Sequence, residues 1–262
     1  MVALHAHEWP TDAGTDAPVA VLVHGISGWW RTWRRVGPAL AGHGWRTFGV
    51  DLPGHGGSPP IDGTTTREAM SRDLEQTIEA LEIAPIDVMI GHSLGAAVVQ
   101  ELVHRRPDLA RRAVFEDPPA TDRVGDTAFL DRLAAESAAA RRDPVAERAR
   151  ERRENPAWEE EDVRQDVEGR ALSDTDGILA SLRVGMGSRV PELAPVLRVP
   201  ALYLLATEAR SAIGGSRRAQ LLAGLPANAR VVELESGHVI HRDRFDEYLS
   251  TILDWLGGPP EA

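Results

Sequence analysis

The chain has 262 residues, of which 42% are hydrophobic and 26% charged, and this composition excludes a disordered or fibrous protein. It contains no cysteine, which excludes disulfides, cysteine-ligated metals and a thiol nucleophile, and its net charge of −11 disfavours nucleic acid as a partner. The first residues lack the basic and apolar regions of a signal peptide. No apolar run reaches the roughly 18 residues of a membrane span, so a cytoplasmic protein without a membrane partner is expected.

Short apolar segments alternate with segments of helical spacing along most of the chain. The predicted strands are Val19–His24, Trp45–Asp51, Ile86–Gly91, Arg112–Glu116, Ala201–Ala206 and Arg230–Glu235, with room for one edge strand around Val2–Trp9. The predicted helices between them are Arg31–Ala41, Thr66–Leu81, Leu94–Arg106 and Ser216–Leu225. This alternation predicts βαβ units and therefore an α/β fold with a mostly parallel sheet flanked by helices.

One long segment, Pro119–Val190, interrupts the alternation between the fourth and fifth predicted strands. It is rich in alanine, arginine and glutamate, which favour helix. Ligands of open α/β sheets bind outside the carboxyl ends of the strands, so we predict a helical lid there, with a solvated flap as the alternative. The expected division is a core in two parts, 1–118 and 191–262, with the lid at 119–190.

The strongest chemical motif is Gly91-His92-Ser93-Leu94-Gly95, which follows a predicted strand and precedes a predicted helix. This is the Gly-x-Ser-x-Gly pattern in the strand–turn–helix context that it requires. The sharp turn exposes the Ser93 hydroxyl, and glycine at both ends avoids clashes with the neighbouring backbone. The N–H of Leu94 is expected to donate to the oxyanion of a reaction intermediate. Ser93 is therefore predicted to be a nucleophile.

Taken in order, the loops after the strands resemble those of the α/β-hydrolase fold superfamily over nearly the whole chain. His24-Gly25-Ile26 resembles the oxyanion loop, Asp51–Ser58 the glycine-rich loop, Gly91–Gly95 the nucleophile elbow and Ser236-Gly237-His238 the histidine loop. The resemblance implies a serine hydrolase that needs no metal or organic cofactor. It makes His238 the general base, with His241 as the competitor, and Ile26 or else Gly25 the second oxyanion donor.

The acid that orients the base departs from the usual pattern of the family. The family usually places it after the strand that follows the lid, but Arg210 stands near that position. Glu116 and Asp117 end the strand before the lid, and the spacing of Glu116 from Ser93 and from a following proline resembles the zearalenone lactonase branch. Glu116 is therefore predicted as the acid, with Asp117 and Glu208 as alternatives.

Pocket-lining residues are expected near the oxyanion loop and in the lid. Trp30 is predicted to line the mouth of the pocket, whereas Trp29 and Trp33 are assigned to core packing. Trp158 in the lid is either an anchor or a substrate contact, and the lid tryptophan of the similar lactonases favours contact. Two further substrate-binding candidates are Met186 and His92.

These features together predict a hydrolase of carboxylic esters or lactones that acts through an acyl-enzyme, with a bulky macrocyclic lactone such as zearalenone as the leading substrate. A small-ester esterase and a C–C bond hydrolase remain alternatives, because the same triad supports each reaction. A non-catalytic small-molecule receptor is the alternative from another class. Composition leaves the oligomeric state open, with a homodimer among the alternatives.

Overall fold

The computed structural model describes residues 3–120, 127–184 and 189–257. A seven-stranded sheet runs through these residues in the order β1-β3-β2-β4-β5-β6-β7, and it is parallel except for β1, which pairs antiparallel with β3. The strands are β1 (Ala6–Glu8), β2 (Val19–Val23), β3 (Arg46–Val50), β4 (Val88–His92), β5 (Ala113–Glu116), β6 (Ala201–Ala206) and β7 (Ala229–Leu234). The predicted fold class, strands and edge strand are confirmed, with small shifts at the ends.

Helices cover the sheet and connect its strands. They are α1 (Val36–Gly42), α2 (Arg67–Ala80), α3 (Leu94–Arg105), α4 (Thr127–Arg142), α5 (Pro144–Glu154), α6 (Glu160–Leu172), α7 (Thr175–Val184), α8 (Val190–Leu193), α9 (Gly215–Gly224), α10 (Ile240–Asp243) and α11 (Phe245–Gly257). The single helix predicted over Arg31–Ala41 is instead a 3₁₀ turn, Trp30–Trp33, followed by α1. Pro38 explains the break, because proline has no N–H to donate and its ring clashes with the carbonyl four residues earlier.

The apolar strands are buried because side chains pack on both faces of the sheet. One face packs against α2, α3 and α9, in a core that includes Met70, Val98, Phe115 and Leu221. The other face packs against α1 and α11, and the side chains that meet there include Val114 and Tyr248. Strands β2, β4, β5 and β6 are buried throughout, which fits a parallel sheet covered on both sides.

Helices α4–α7 lie between β5 and β6, where the sequence predicts an inserted helical segment. Helices α4 and α7 share a small apolar cluster. Polar contacts from α6 join the inserted segment to the core. Asp162 pairs with Arg34, Asp166 pairs with Arg242, and the Gln165 carbonyl accepts from Trp29 Nε1. None of the helices in the described ranges is long and apolar enough to cross a bilayer.

Candidate active site

Ser93 occupies a sharp turn between β4 and α3. Its backbone has φ 51° and ψ −118°, a strained conformation for a residue other than glycine. Strand β4 ends at His92 and α3 begins at Leu94, so Ser93 alone connects the strand to the helix. A β-carbon at Gly95 would lie 2.2 Å from the Val23 carbonyl oxygen, and one at Gly91 would lie 2.6 Å from the backbone of Ala96. The turn therefore requires both glycines.

We expect Gly95→Ala to destabilise the protein by about 1–3 kcal/mol or more, because the added methyl overlaps the backbone of β2. Gly42→Ala is the matched control, since a β-carbon on this helical glycine meets no atom within 4 Å. It should leave stability unchanged or raise it by up to about 1 kcal/mol. Urea unfolding of both variants tests this, and equal stabilities would contradict the close approach of α3 to β2.

His238 contacts a carboxylate that the sequence analysis gave only as an alternative. Its Nδ1 lies 2.6 Å from Oδ2 of Asp117, the residue that follows β5. Asp117 has φ 39°, and this left-handed turn at the end of the strand directs the carboxylate towards β6 and the loop that follows it. The N–H groups of Ala206 and Ala212 donate to the same carboxylate at 3.1 and 2.8 Å, and the Ser211 hydroxyl also donates to it.

The prediction that Glu116 orients His238 is wrong. Glu116 shares a sheet face with Val114, and its carboxylate binds the N–H of His241 at 2.9 Å and Nδ1 of the same residue at 2.8 Å. The side chains of neighbouring strand residues point to opposite faces of the sheet, which explains why Glu116 and Asp117 contact different histidines. Glu208, the other alternative, lies on an exposed 3₁₀ turn and accepts the N–H of Gly215.

His241, the competing base, is buried and held by Glu116. Its ring stacks on Trp33 with centroids 4.5 Å apart. His92 lies between the two histidines, and its Nε2 is 3.0 Å from the carbonyl oxygen of His238, to which it donates. The Glu116–His241 pair and His92 therefore support the backbone around His238.

The charges of the buried groups follow from burial and from their partners. Burial by itself raises the pKa of Asp117, but hydrogen bonds from His238, Ser211 and Ala212 outweigh it and hold the pKa below its usual value. Burial also raises the pKa of Glu116, but the interaction with His241, which donates hydrogen bonds from its N–H and its ring, outweighs it and lowers the pKa. Burial lowers the pKa of His92 to about 3, so this histidine is neutral at pH 7. Asp117 is thus an ionised acceptor for an N–H of His238.

Backbone donors stand on both sides of Ser93. Leu94 begins α3, so its N–H has no carbonyl of the helix to bind. The Gly25 carbonyl is held by Nδ1 of His24 at 2.7 Å and by the N–H of Gly28 at 3.0 Å. In a trans peptide the N–H points opposite to the carbonyl, so the N–H of Ile26 points away from these partners. This geometry favours Ile26 over Gly25 as the second oxyanion donor.

A cavity of about 300 Å³ joins these groups, since Gly25, Ile26, His92, Ser93 and His238 all line its wall. Its opposite wall comes from α4, α5 and α6 and from the loop that carries Trp158. Two of the predicted substrate-binding residues, Trp158 and His92, therefore lie at the cavity. Trp158 is buried, and its Nε1 donates to Asp243 at 2.8 Å.

Trp30 does not line this cavity, and the prediction that it does is wrong. Its ring stacks on His7 at 3.7 Å and meets Trp9 edge to face at 5.9 Å. The ring of Trp30 is therefore covered by residues of the segment before β2, at the edge of the sheet that β1 forms. Met186 lies outside the described residues. The signal for the missed cavity residues was weak, because Arg210, Arg242 and Asp243 resemble ordinary surface charges in the sequence.

A match to a family model identifies the family of this fold. The family model described as the alpha/beta hydrolase fold matches residues 18–172, which is more than half of the chain. The chain is therefore a member of the α/β-hydrolase family.

Its similarity to individual proteins is more limited. It is 39% identical over 105 residues to a Mycobacterium tuberculosis protein named as a non-heme bromoperoxidase, BpoC, covering 40% of this chain and 39% of that one. It is 33% identical over 107 residues to the sn-1-specific diacylglycerol lipase ABHD11 of Mus musculus, covering 40% and 34%. The chain thus matches well under half the length of these curated relatives. The enol-lactonase of Burkholderia xenovorans LB400 is similar in fold, with a TM-score of 0.75, 22% identity, and coverage of 97% of this chain and 96% of that one.

Proposed function

We propose that this protein is a serine hydrolase that cleaves a carboxylic ester or lactone through an acyl-enzyme. The observation that carries the proposal is the 2.6 Å contact between His238 Nδ1 and a buried, ionised Asp117. Because Nδ1 of His238 is bound to Asp117, its Nε2 is free to accept a proton. His238 also lines the same cavity as Ser93, whose backbone is strained. A nucleophile, a base and a group that orients the base are the three parts that activated serine requires.

In this mechanism Ser93 Oγ attacks the substrate carbonyl while His238 Nε2 takes its proton. The N–H groups of Leu94 and Ile26 bind the negative oxygen of the tetrahedral intermediate. Asp117 accepts the Nδ1–H bond and stabilises the imidazolium, which then protonates the departing alkoxide. A water molecule deprotonated by His238 then attacks the carbonyl of the acyl-enzyme. The tetrahedral intermediate that forms breaks down, which releases the carboxylic acid and restores Ser93.

The receptor alternative and the prediction of zearalenone as the leading substrate both lose their support. The receptor hypothesis depended on a missing acid after the strand that follows the helical segment, and Asp117 supplies a carboxylate to that place from β5. The resemblance to zearalenone lactonases depended on Glu116, which binds His241 instead. Relatives named as a lipase and as an enol-lactonase favour carboxylic esters and lactones as the substrate class.

The test is a panel of p-nitrophenyl esters of increasing acyl length, together with aliphatic lactones and zearalenone. We expect hydrolysis of at least the short esters, with a burst of p-nitrophenol equal to the enzyme concentration where deacylation is slow. The best substrate then separates an esterase from a lactonase, and a vinylogous diketone in the panel tests C–C cleavage. No turnover of any ester or lactone by folded protein would contradict the proposal.

A further inference from the structure

The backbone that carries His238 is held by a side chain on either side of this residue. Before it, the N–H of Gly237 donates to Oδ2 of Asp243. After it, the carbonyl of His238 accepts a hydrogen bond from Nε2 of His92 at 3.0 Å. The loop packs closely on the first of these side chains, because a β-carbon on Gly237 would lie 2.7 Å from Oδ2 of Asp243. Asp243 therefore helps to set the direction in which the His238 ring leaves the backbone.

The carboxylate of Asp243 joins the histidine loop to the inserted helical segment. Its other oxygen, Oδ1, accepts the indole N–H of Trp158 at 2.8 Å. The Arg210 guanidinium lies 3.9 Å from Oδ2, too far for a hydrogen bond, so its positive charge stabilises the carboxylate and leaves both N–H contacts in place. The Asp243 side chain is only 10% exposed. Each of its oxygens thus binds a different donor, one from the loop of the base and one from the helical segment.

Trp158 is itself held in place by the contacts between the helical segment and the core. It lies in the loop between α5 and α6, and it is buried. The guanidinium of Arg242 lies 4.6 Å from the centre of its ring, and Arg242 pairs with Asp166 on α6 at 2.6 Å. A buried indole N–H needs an acceptor, and Asp243 supplies it. The contact of Trp158 with Asp243 therefore depends on the docking of this segment against α10.

We propose that Asp243 is a positioning residue for His238, and that Trp158 makes this positioning depend on the docked helical segment. The inference rests on the proposed function, because it concerns the step in which His238 takes the proton of Ser93. That transfer requires His238 Nε2 within hydrogen-bond reach of the serine oxygen, and a displacement of about 1 Å can cost about a hundredfold in rate. Asp243 acts on this distance through the backbone of Gly237.

Asp243→Asn tests the positioning role, with p-nitrophenyl acetate as the substrate. Asparagine has the same shape but a single acceptor oxygen, so it can bind only one of the two N–H groups. We expect kcat per titrated active site to fall by about tenfold to a hundredfold, with KM within about threefold of wild type. A residue that only stabilised the fold would lower the free energy of unfolding and leave kcat per active site unchanged. A residue that bound the substrate would raise KM instead.

Trp158→Phe tests the link to the helical segment, because it removes the indole N–H and keeps an aromatic ring. We expect a smaller loss, of about threefold to tenfold in kcat, the scale of one hydrogen bond. Added to Asp243→Asn, the same substitution should lower kcat no further. Asparagine can bind only one donor, and removing Trp158 Nε1 leaves its oxygen for the N–H of Gly237.

Two controls match these substitutions. Trp29→Phe removes a tryptophan bond between the core and the helical segment that ends on the Gln165 carbonyl instead of on Asp243. Asp246→Asn changes an exposed carboxylate on α11. Both should keep kcat within about twofold of wild type.

Four results would overturn the inference. They are an unchanged kcat in Asp243→Asn, a loss that appears only in KM, a Trp29→Phe as slow as Trp158→Phe, and losses that add in the double variant. Each of them leaves the proposed hydrolase standing, because wild type still cleaves the ester. Failure of folded wild type to cleave any ester would instead contradict the proposed function.

Discussion

Replacing Asp117 by asparagine is expected to lower kcat on p-nitrophenyl esters by about ten-thousandfold, the loss typical of a triad carboxylate. The carboxylate accepts the Nδ1–H of His238 at 2.6 Å, which leaves Nε2 free to take the serine proton. An asparagine amide in this position can donate to Nδ1, and that stabilises the wrong tautomer. The negative charge that offsets the imidazolium is lost as well. Initial rates at saturating ester, with circular dichroism to show that the variant is folded, measure the effect.

Glu116→Gln is the matched control for this prediction, since it changes the adjacent buried carboxylate by the same chemistry. Glu116 binds His241 rather than His238, so we expect kcat to stay within about tenfold of wild type. The free energy of unfolding should fall by about 1–3 kcal/mol, because a buried hydrogen-bonded charge is lost. An inactive Glu116→Gln beside an active Asp117→Asn would reverse the assignment and restore Glu116 as the acid.

Ser93→Ala is expected to have an even larger effect, with kcat reduced by about a millionfold. The substitution removes the nucleophile, and the residual rate comes from binding and from the oxyanion donors alone. Ser250→Ala on α11 is the control, because this exposed hydroxyl bonds only within its own helix. Progress curves at high enzyme concentration measure the residual rate. Activity of Ser93→Ala above about 1% of wild type would mean that hydrolysis uses another nucleophile.

The fold was predictable because each strand and each loop motif is local. Short segments of four to six mostly apolar residues mark β2 to β6, and the pentapeptide from Gly91 to Gly95 defines its own turn. The position of His238 in its loop after β7 follows from chain order in the family that the sequence resembles. Pro38 is the local signal that explains the broken helix near α1, and it was present in the sequence.

The acid could not be predicted from spacing because two carboxylates end the same strand. Which of them meets His238 depends on the sheet face that Glu116 shares with Val114 and on the left-handed turn at Asp117. It also depends on the donors Ser211 and Ala212, which reach Asp117 from a loop more than ninety residues later. These are tertiary contacts, and the sequence contains no local pattern for them.

The contacts of the tryptophans near the oxyanion loop also could not be predicted from a local sequence pattern. Trp29 and Trp30 are neighbours, yet Trp29 binds the Gln165 carbonyl of α6 while Trp30 stacks on His7 from the chain before β2. Their surroundings are set by segments far away in sequence. The cluster of tryptophans indicated a packed region, and only the fold shows that none of Trp29, Trp30 and Trp33 lines the cavity.

The central claim is that Ser93 is a nucleophile activated by His238 and Asp117, and covalent labelling tests it most directly. Wild type, Ser93→Ala and Asp117→Asn are each treated with a p-nitrophenyl alkylphosphonate, and their intact masses are followed over time. We predict that wild type gains one phosphonyl group, mapped by peptide sequencing to Ser93, that Asp117→Asn reacts far more slowly, and that Ser93→Ala gains none. An unlabelled wild type, or a label on Ser93→Ala at the wild-type rate, would contradict the claim.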